Sequence, residues 1–485
     1  MPLPAKLPRF HPATVIRELG DGEKFSISDA TTGVAVFGAT GSGKTTGTGE
    51  FFGKGYMGSA AEMGMLILCA KVTEKDQTIR WAEETGRGKD VRVFDASGDR
   101  FRFNFLDWIS GFAAEGAGLT INVVAFLEEL ITALEPQKAV SGGDNVFWED
   151  SLHQMLVEDV ELVQLAGYEL SFPTLRDIVR SAPLSPEQAK DPKWQETNAC
   201  WFFLEQARLR SESADAETQA DYAECRAYWL DDFASLSEKT RSIIKLMFTK
   251  LAQPFTTRPL RKLCCTDTTL KPEDTFDGAI IIVSPSTQEY RRVGLILALL
   301  WKYAWQVAVM RRKPAPEGEY LRPVCCWADE AAENFLSRND SAFQAVARAS
   351  AGCTVYLAQN INQYRKRLGD TDAFESFVAN LQTKVFHQST GPTCRWAAEL
   401  LGERWEQVSG ISRHTPDAPE VESSSGVSVS EQHRFLVEPS AFTTLKRGGP
   451  AYGFEVEAIL YKGGHIFRNG LPYKRLRFLQ TVNEK

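Results

Sequence analysis

One segment near the start of the chain restricts its fold more than any other. Residues 33–37 read Gly-Val-Ala-Val-Phe, an apolar run of strand length, and residues 38–45 read Gly-Ala-Thr-Gly-Ser-Gly-Lys-Thr. The second run has the pattern GxxxxGK[ST], in which glycines let backbone N–H groups curl around a phosphate and the following helix adds its positive end. A glycine-rich turn can have this composition by chance, but the apolar strand in front favours a phosphate-binding loop. The segment therefore predicts a nucleotide site in an α/β protein.

The side chains of this loop have predictable roles. Lys44 would reach the β- and γ-phosphates, and Thr45 would place its hydroxyl on Mg²⁺. We therefore predict ATP and Mg²⁺ as cofactors. The predicted cofactor-binding residues are Gly38, Thr40, Gly41, Ser42, Gly43, Lys44, Thr45 and Thr46.

A loop of this kind needs a carboxylate at the end of a neighbouring strand. Residues 324–328 read Val-Cys-Cys-Trp-Ala and are followed by Asp329 and Glu330. Asp329 would join Thr45 in the Mg²⁺ shell, and Glu330 would polarise the attacking water. The alternative is an ordinary strand that ends in acidic capping residues. The adjacent acidic pair, without an obvious NKxD motif, favours an ATPase over a small GTPase.

Two more polar residues are candidate catalytic residues beside Glu330. Gln359 follows the apolar run at 354–358, where it could contact the γ-phosphate or water and report hydrolysis. Arg348 could stabilise the transition-state charge across a subunit boundary, with Arg338 as the competing candidate for this role. The alternatives are a polar strand end for Gln359 and a surface ion pair for Arg348.

The order of apolar runs predicts an α/β core with an inserted helical domain. Strand-like and helical patterns alternate before residue 110 and after residue 235, which indicates βαβ units and a mostly parallel sheet. Between them the spacing is helical without a convincing strand. We predict a turn-rich lead-in at 1–32, a nucleotide-binding domain formed by 33–110 and 235–485, and an all-α domain at 111–234. The predicted strands are 33–37, 65–69, 91–94, 279–283, 324–327, 354–358 and 383–387. The predicted helices are 73–84, 121–134, 147–165, 172–181, 194–209 and 221–233. We expect a linker or exposed loop at 411–430 and a β-rich closing segment at 435–482.

Charge is distributed unevenly along the chain. Residues 111–234 hold 23 acidic and 8 basic residues, a net charge of −15, whereas the whole chain carries −8. The remainder is therefore mildly basic at +7. An acidic surface repels phosphates and attracts basic partners, so we expect the acidic segment to recruit proteins rather than to hold DNA.

Cysteine use and hydropathy indicate a cytoplasmic protein. The nine cysteines show no CxxC spacing, so buried thiols in a reducing compartment are expected. The longest apolar stretch, 293–310, is interrupted by Lys302 and Gln306 and fits a buried core helix better than a membrane span. We therefore expect no direct membrane span.

Several motifs together resemble the type IV coupling proteins, the conjugative DNA-transfer ATPases of TraG/TraD type in the FtsK/HerA superfamily. The similarity runs from about residue 30 to 480. The first motifs are GATGSGKTTG and the run from LILCAK to FDAS, which is followed by FNFL at 103–106. The next is NVFWEDSLHQML. The last are VCCWADEA, which is followed by Arg348 and LAQN, and FLVEPSAFTTLKRGG. Two features depart from the family: Cys69-Ala70-Lys71 stands where Asp-Pro-Lys is usual, and Gly38 lies too near the start for the N-terminal transmembrane helices that most members carry.

The resemblance implies a RecA-like core, a homo-hexameric ring and ATP-driven movement of DNA. It also implies a relaxase or accessory DNA-processing protein as partner, and a membrane-anchoring partner that recruits the chain to the inner membrane. DNA would be held by its backbone, and the basic run Tyr364-Arg365-Lys366-Arg367 is the candidate pore loop, with a solvated helix face as the alternative.

Two other functions remain open at this point. One is a nucleotide-regulated adaptor that recruits protein substrates with little DNA translocation. The other is a different FtsK/HerA-like DNA motor, which the acidic helical insertion disfavours. Stimulation of ATP hydrolysis by DNA would separate the motor from the adaptor.

Overall fold

The computed structural model describes residues 7–58, 60–112, 118–134, 144–337, 339–368, 371–414 and 424–480. The chain divides into two compact units. The first unit comprises Met1–Met63, Arg80–Lys89 and Lys313–Lys485, and the second comprises Gly64–Ile79 and Asp90–Arg312.

Strands and helices alternate at both ends of the chain, and the described residues of its middle form helices without strands. The strands among the described residues are β1 (Val15–Gly20), β2 (Glu23–Ser26), β3 (Val34–Phe37), β4 (Gly64–Leu68), β5 (Val91–Phe94), β6 (Ile280–Val283), β7 (Val324–Ala328), β8 (Gly352–Ala358), β9 (Thr383–Phe386), β10 (Glu403–His414), β11 (Ser424–Phe435), β12 (Glu455–Lys462) and β13 (Tyr473–Leu479). The α-helices are α1 (Ile27–Ala30), α2 (Glu50–Met57), α3 (Thr73–Glu84), α4 (Phe105–Ser110), α5 (Thr120–Leu134), α6 (Asp144–Ala166), α7 (Phe172–Ser181), α8 (Pro186–Ala189), α9 (Pro192–Thr197), α10 (Ala199–Ser211), α11 (Ala216–Ala227), α12 (Phe233–Ser235), α13 (Glu238–Ala252), α14 (Leu260–Cys264), α15 (Thr287–Tyr290), α16 (Arg292–Met310), α17 (Ala331–Asn334), α18 (Asn339–Val346), α19 (Ile361–Leu368), α20 (Thr371–Asn380), α21 (Pro392–Leu401) and α22 (Pro439–Thr443).

The first unit is built on a mostly parallel sheet. Its strands lie in the order β13-β12-β9-β3-β8-β7. β9, β3, β8 and β7 are parallel, whereas β12 runs antiparallel to β9 and β13 antiparallel to β12. The four parallel strands are buried along their whole length, which explains why they appear in the sequence as unbroken apolar runs. Because parallel strands share one direction, the loops after β3, β7, β8 and β9 emerge at one edge.

The second unit contains three parallel strands in the order β4-β6-β5 and most of the helices. Its longest apolar helix, α16, buries Trp301 against the rings of Phe94 and Phe103. This helix is long and apolar enough to cross a membrane, but 72% of its apolar 18-residue stretch is buried inside the protein. That burial agrees with the expected core helix.

The helices of the second unit form a cluster centred on α6. This helix packs against α5, α7, α10, α11 and α13. Trp229 is buried in the cluster, and its indole Nε1 donates to the carbonyl oxygen of Glu158 at 3.3 Å. α13 begins after residue 234, so the helical packing continues past the predicted domain boundary. The boundaries of the all-α domain stay a prediction.

The predicted strands and helices of the α/β regions agree with the structure to within about two residues. α3 and β5 have the predicted ends, and so does α7 in the predicted all-α segment. The thiol prediction also holds for eight of the nine cysteines, which are buried and not in disulfides; Cys265 is half-buried.

Residues 1–32, which were predicted to be a turn-rich lead-in, contain the antiparallel pair β1 and β2 and the short helix α1. Two predictions of local structure were wrong. The predicted helix 194–209 is broken at Asn198, which is extended and whose side-chain oxygen accepts the N–H of Trp201 as the cap of α10. The expected linker at 411–430 is largely a two-stranded antiparallel ribbon of β10 and β11; residues 415–423 lie outside the described residues.

Candidate functional site

The glycine-rich loop follows β3 and precedes a helix, as its pattern requires. Gly41 and Gly43 adopt positive φ angles of 74° and 80°, which side chains rarely tolerate. Lys44 is already helical, and the first turn after it, Thr45–Gly49, is a π-helix that continues into α2. A π-turn inside a helix is frequent at functional sites. The backbone therefore has the form of a phosphate-binding loop.

Close packing leaves no room for side chains at two of the glycines. A Cβ atom on Gly43 would lie 2.7 Å from a methyl carbon of Val456, and one on Gly38 would lie 2.4 Å from the hydroxyl oxygen of Ser42. The N–H of Ala39 donates to the carbonyl oxygen of Gln388 at 2.9 Å. β12 and the segment after β9 thus hold the loop in place.

The acidic pair after β7 meets the loop side chains. Thr45 Oγ1 donates to Asp329 Oδ2 at 2.7 Å, and Lys44 Nζ lies 3.5 Å from Glu330 Oε1. The side chains of Lys44 and Glu330 are only 7% and 9% exposed. The structure therefore brings together the residues predicted for the phosphates, the metal and the attacking water, although almost 290 residues separate them along the chain.

Glu330 has an unusual backbone conformation. Its φ and ψ angles are 51° and 33°, in the left-handed region, and its N–H donates to Asp329 Oδ1 at 2.8 Å. Such a conformation is uncommon for a residue with a side chain and occurs often at functional sites. It directs consecutive carboxylates to two different partners, Asp329 to the Thr45 hydroxyl and Glu330 to the Lys44 ammonium.

Gln359 lies at the same edge of the sheet. It follows β8, whose last residue Ala358 pairs with Phe37 of β3, and the N–H of Gly38 donates to the carbonyl oxygen of Ala358 at 3.1 Å. The Gln359 N–H is held by Gln363 Oε1 at 3.1 Å. The residue predicted to sense the γ-phosphate is therefore beside the start of the loop.

Arg348 does not lie with the other site residues of its own chain. It is exposed in a short 3₁₀ turn, Ala347–Ser350, that precedes the amino end of β8, whereas Gln359 follows the carboxyl end. Seven strand residues separate these ends by roughly 23 Å. The structure therefore does not bring Arg348 together with the other predicted site residues of its own chain. The competing candidate, Arg338, lies outside the described residues.

The remaining predicted loop residues differ in exposure. Thr40, Gly41 and Thr46 are exposed, whereas Ser42 is buried. Thr46 Oγ1 accepts a hydrogen bond from Gln480 Nε2 at 2.7 Å, which ties the loop to the end of the β13 segment.

One residue under the loop was missed by the sequence analysis. His387 follows β9, is fully buried, and its Nε2 atom lies 2.7 Å from Thr48 Oγ1 in the first turn after the loop. Burial, with a smaller contribution from the positive charge of Lys44, lowers the pKa of His387 to about 3. The imidazole is therefore neutral at physiological pH. A lone histidine after a strand gives no signal in the sequence that could have identified it.

The basic run after Gln359 lies in a helix, as the alternative interpretation of this run expected. α19 buries Tyr364 completely, and the Arg367 guanidinium donates to the carbonyl oxygen of Leu336 at 2.9 Å. Burial lowers the pKa of Arg367. Lys366 is exposed, Arg365 and Arg367 are half-buried, and a DNA contact of this run stays a prediction.

The residues present fit a nucleotide with a divalent cation. The loop offers backbone N–H groups and a buried ammonium to phosphates, and Thr45 with Asp329 offers a hydroxyl and a carboxylate oxygen, the hard ligands that Mg²⁺ prefers.

Comparisons with known proteins agree with this geometry. Residues 323–447 match the family described as the TraM recognition site of TraD and TraG. No curated protein sequence matches the chain.

Solved structures of conjugative coupling proteins have the same fold. The unbound bacterial protein TrwBdeltaN70 is 12% identical with a TM-score of 0.57, over 98% of this chain and 90% of that one. Plasmid coupling protein TrwB with ADP and Mg²⁺ is 12% identical with a TM-score of 0.57, over 95% and 88%. The same protein with the ATP analogue ADPNP is 12% identical with a TM-score of 0.55, over 97% and 89%.

These matches confirm the predicted fold class, an α/β RecA-like P-loop core with a mostly parallel sheet, and the resemblance to coupling proteins. Residues 323–447 are thus similar to the family described as the TraM recognition site of TraD and TraG, and the fold of the chain is that of the solved TrwB structures.

Proposed function

We propose that this protein is an Mg²⁺-dependent ATPase that moves DNA, as a coupling protein that brings DNA or nucleoprotein substrates to a transfer machinery. The observation that carries the proposal is the meeting of Lys44 and Thr45 with Glu330 and Asp329 at one sheet edge. The coupling-protein fold supports DNA as the substrate, because TrwB is described as a conjugative coupling protein.

ATP binding would exchange the internal contacts of the site for contacts with phosphate. Lys44 would leave Glu330 for the β- and γ-phosphates, and the Thr45 hydroxyl and Asp329 would hold Mg²⁺. Mg²⁺ bound there would neutralise charge on the phosphate oxygens. Glu330, released from Lys44, would then orient and deprotonate the attacking water, and Gln359 would contact the γ-phosphate or that water.

The position of Arg348 supports a ring of identical subunits. An exposed arginine far from its own site can stabilise the transition-state charge only in a neighbouring subunit. We therefore propose that the active form is a homo-hexamer in which each Arg348 serves the adjacent nucleotide site.

The partners follow from the family matched by residues 323–447. That family is described by its recognition of TraM, which supports a relaxase or accessory DNA-processing protein as the partner. We propose a cytoplasmic location, with recruitment to the inner membrane by an anchoring partner.

The test is the ATPase rate of the purified protein with Mg²⁺, alone and with single- or double-stranded DNA. We expect hydrolysis that DNA stimulates. Hydrolysis that DNA does not change would favour the recruitment adaptor, and absence of Mg²⁺-dependent hydrolysis in every condition would refute the ATPase.

A further inference from the structure

A basic pocket lies in the second unit, apart from every residue that the proposed function uses. Its volume is about 380 Å³. It is lined by Arg176, Arg180, Lys245, Thr249, Gln253 and Thr256. Three of these six side chains are cations, and none is a carboxylate or an aromatic ring.

Two packed helices bring the cations together. Arg176 and Arg180 are four residues apart in the last part of α7, and Lys245 and Thr249 are four residues apart in α13, so each pair lies on one helix face. α7 packs against α13, which places both pairs around the same space. The short 3₁₀ helix Gln253–Thr256 completes the wall.

The positive charge of the pocket is largely uncompensated. Arg176 contacts the carboxylate of Asp177 at 3.1 Å, but among the described residues no ion pair joins a carboxylate to Arg180 or Lys245. Lys245 is half-buried, and burial together with the nearby charge of Arg241 lowers its pKa. The half-buried position of Lys245 beside Arg241 is unfavourable for its charge, and a bound anion would relieve that cost.

The positive charge of the pocket contrasts with the acidic segment that supplies its two arginines. Arg176 and Arg180 are two of only eight basic residues in the segment 111–234, whose net charge is −15. The threonine hydroxyls add little attraction, because Thr249 and Thr256 donate to backbone oxygens of Lys245 and Gln253. The three cations therefore determine what the pocket can bind.

Phosphate is the anion that fits this lining best. Guanidinium groups bind phosphate oxygens in a bidentate manner, and a lysine ammonium binds them as a point charge. The lining contains no aromatic ring on which a base could stack. Contacts of this kind hold a nucleic-acid strand by its backbone and do not read its sequence.

We propose that this pocket binds phosphodiester groups of DNA, so that the helical part of the protein contributes a DNA contact of its own. The proposal rests on the proposed function, since DNA must be a substrate. It modifies the expectation from net charge alone, because two arginines of the acidic segment combine with Lys245, which lies outside that segment, into a local cationic pocket.

The first experiment measures binding of a labelled oligo-dT strand over a series of salt concentrations. The double variant Arg180→Ala/Lys245→Ala should bind about 10- to 30-fold more weakly at 0.1 M salt, and its salt slope should fall by about 1.4, because roughly 0.7 is lost per phosphate contact to single strands. The matched control is Lys250→Ala, an exposed lysine of α13 outside the lining, which should behave as wild type. The charge-conserving variant Arg180→Lys/Lys245→Arg should retain DNA binding. Retained binding would show that the double alanine variant loses affinity because charge is removed and not because these positions are needed for folding.

The outcomes separate the two proposals. Wild-type protein that binds DNA while the double variant has the same affinity and salt slope would overturn the pocket and leave the motor function intact. Wild-type protein that binds no DNA would overturn the motor function and, with it, the DNA-phosphate pocket.

A second measurement distinguishes the source of the phosphate. Acylation of Lys245 near pH 8, followed by peptide mass spectrometry with Lys250 as internal reference, should be slowed by oligo-dT and unchanged by the same phosphate concentration of inorganic phosphate. Equal protection by inorganic phosphate would show that the pocket takes the free anion, and would overturn the assignment to the DNA backbone.

Discussion

Lys44 Nζ lies 3.5 Å from Glu330 Oε1, and both side chains are almost completely buried. In this arrangement the residue that should hold the phosphates neutralises the residue that should activate water. Removal of one partner of a buried ion pair leaves the other charge uncompensated in a poorly solvated place. The pair therefore links the stability of the nucleotide-free protein to its catalytic residues.

Substitution of either partner of this pair should affect stability as well as activity. Lys44→Met should abolish ATP binding and lower the free energy of unfolding by about 3 kcal/mol, because Glu330 stays buried without its cation. Glu330→Gln should bind ATP and hydrolyse it at least about 100-fold more slowly, as expected for loss of a general base. Calorimetry for nucleotide binding, steady-state ATPase assays and urea denaturation measure these effects.

The double variant Lys44→Met/Glu330→Gln is the control for this prediction. It should be more stable than Lys44→Met alone, because the amide carries no charge that needs a partner. Stabilities that add independently would show that the two residues do not interact.

The contact between Thr45 and Asp329 predicts how ATP affinity depends on metal. Asp329→Asn and Thr45→Ala should each weaken the Mg²⁺-dependent part of ATP binding by at least about tenfold. Thr45→Ser retains the hydroxyl and should keep the metal dependence. Titrations of ATP in the presence of Mg²⁺ and in the presence of EDTA measure the ATP affinity with and without metal. A substitution that weakens ATP binding equally in both conditions would contradict a metal role for its residue.

Arg348 should act in trans if the proposed ring is correct. Arg348→Ala should bind ATP normally and lower the turnover number by about 1000-fold, because an arginine of this type stabilises only the transition state. Mixing Arg348→Ala subunits with Glu330→Gln subunits should restore part of the ATPase activity, since some interfaces then pair an intact Arg348 with an intact Glu330. The assay is ATP turnover as a function of the mixing ratio.

Two observations would contradict the trans arrangement. One is a mixture whose activity never exceeds that of the separate variants. The other is wild-type activity per subunit that stays constant at dilutions where analytical ultracentrifugation finds only monomers.

The site was more predictable from the sequence than the surface elements. Strands buried on both faces require continuous apolar runs, so β3, β7 and β8 were found, and the polar residues that follow them had to meet at one edge. The ribbon of β10 and β11 was missed because its strands contain few apolar residues and because the sequence between them contains two prolines.

Other features were not predictable because they depend on tertiary packing. The run Tyr364 to Arg367 carries three charges, but its helix buries Tyr364 and ties Arg367 to the backbone. The basic pocket combines residues of α7 and α13 that are about 65 positions apart, and no local pattern relates them. His387 acquires its role only because the end of β9 lies beneath the first turn after the loop.

The low pKa of His387 predicts a specific dependence of stability on pH. In the folded protein this pKa is about 3, whereas an unfolded chain has the ordinary value near 6.5, so between these values the unfolded chain binds a proton that the folded protein does not. The contribution is therefore fully present above pH 6.5 and decreases as the pH falls toward 3. For wild type, lowering the pH from 7.5 to 5 should reduce the free energy of unfolding through this residue by about 2 kcal/mol.

The variant His387→Gln should lack this share of the pH dependence. Its side-chain amide can still bond to the Thr48 hydroxyl but carries no titratable proton, so its urea midpoint should change less than that of wild type between pH 7.5 and pH 5. Because all other titrating groups are common to both proteins, the difference between the two pH profiles isolates His387. Parallel profiles would mean that the imidazole is protonated without cost in the folded state, which is incompatible with full burial beside Thr48 and the charge of Lys44.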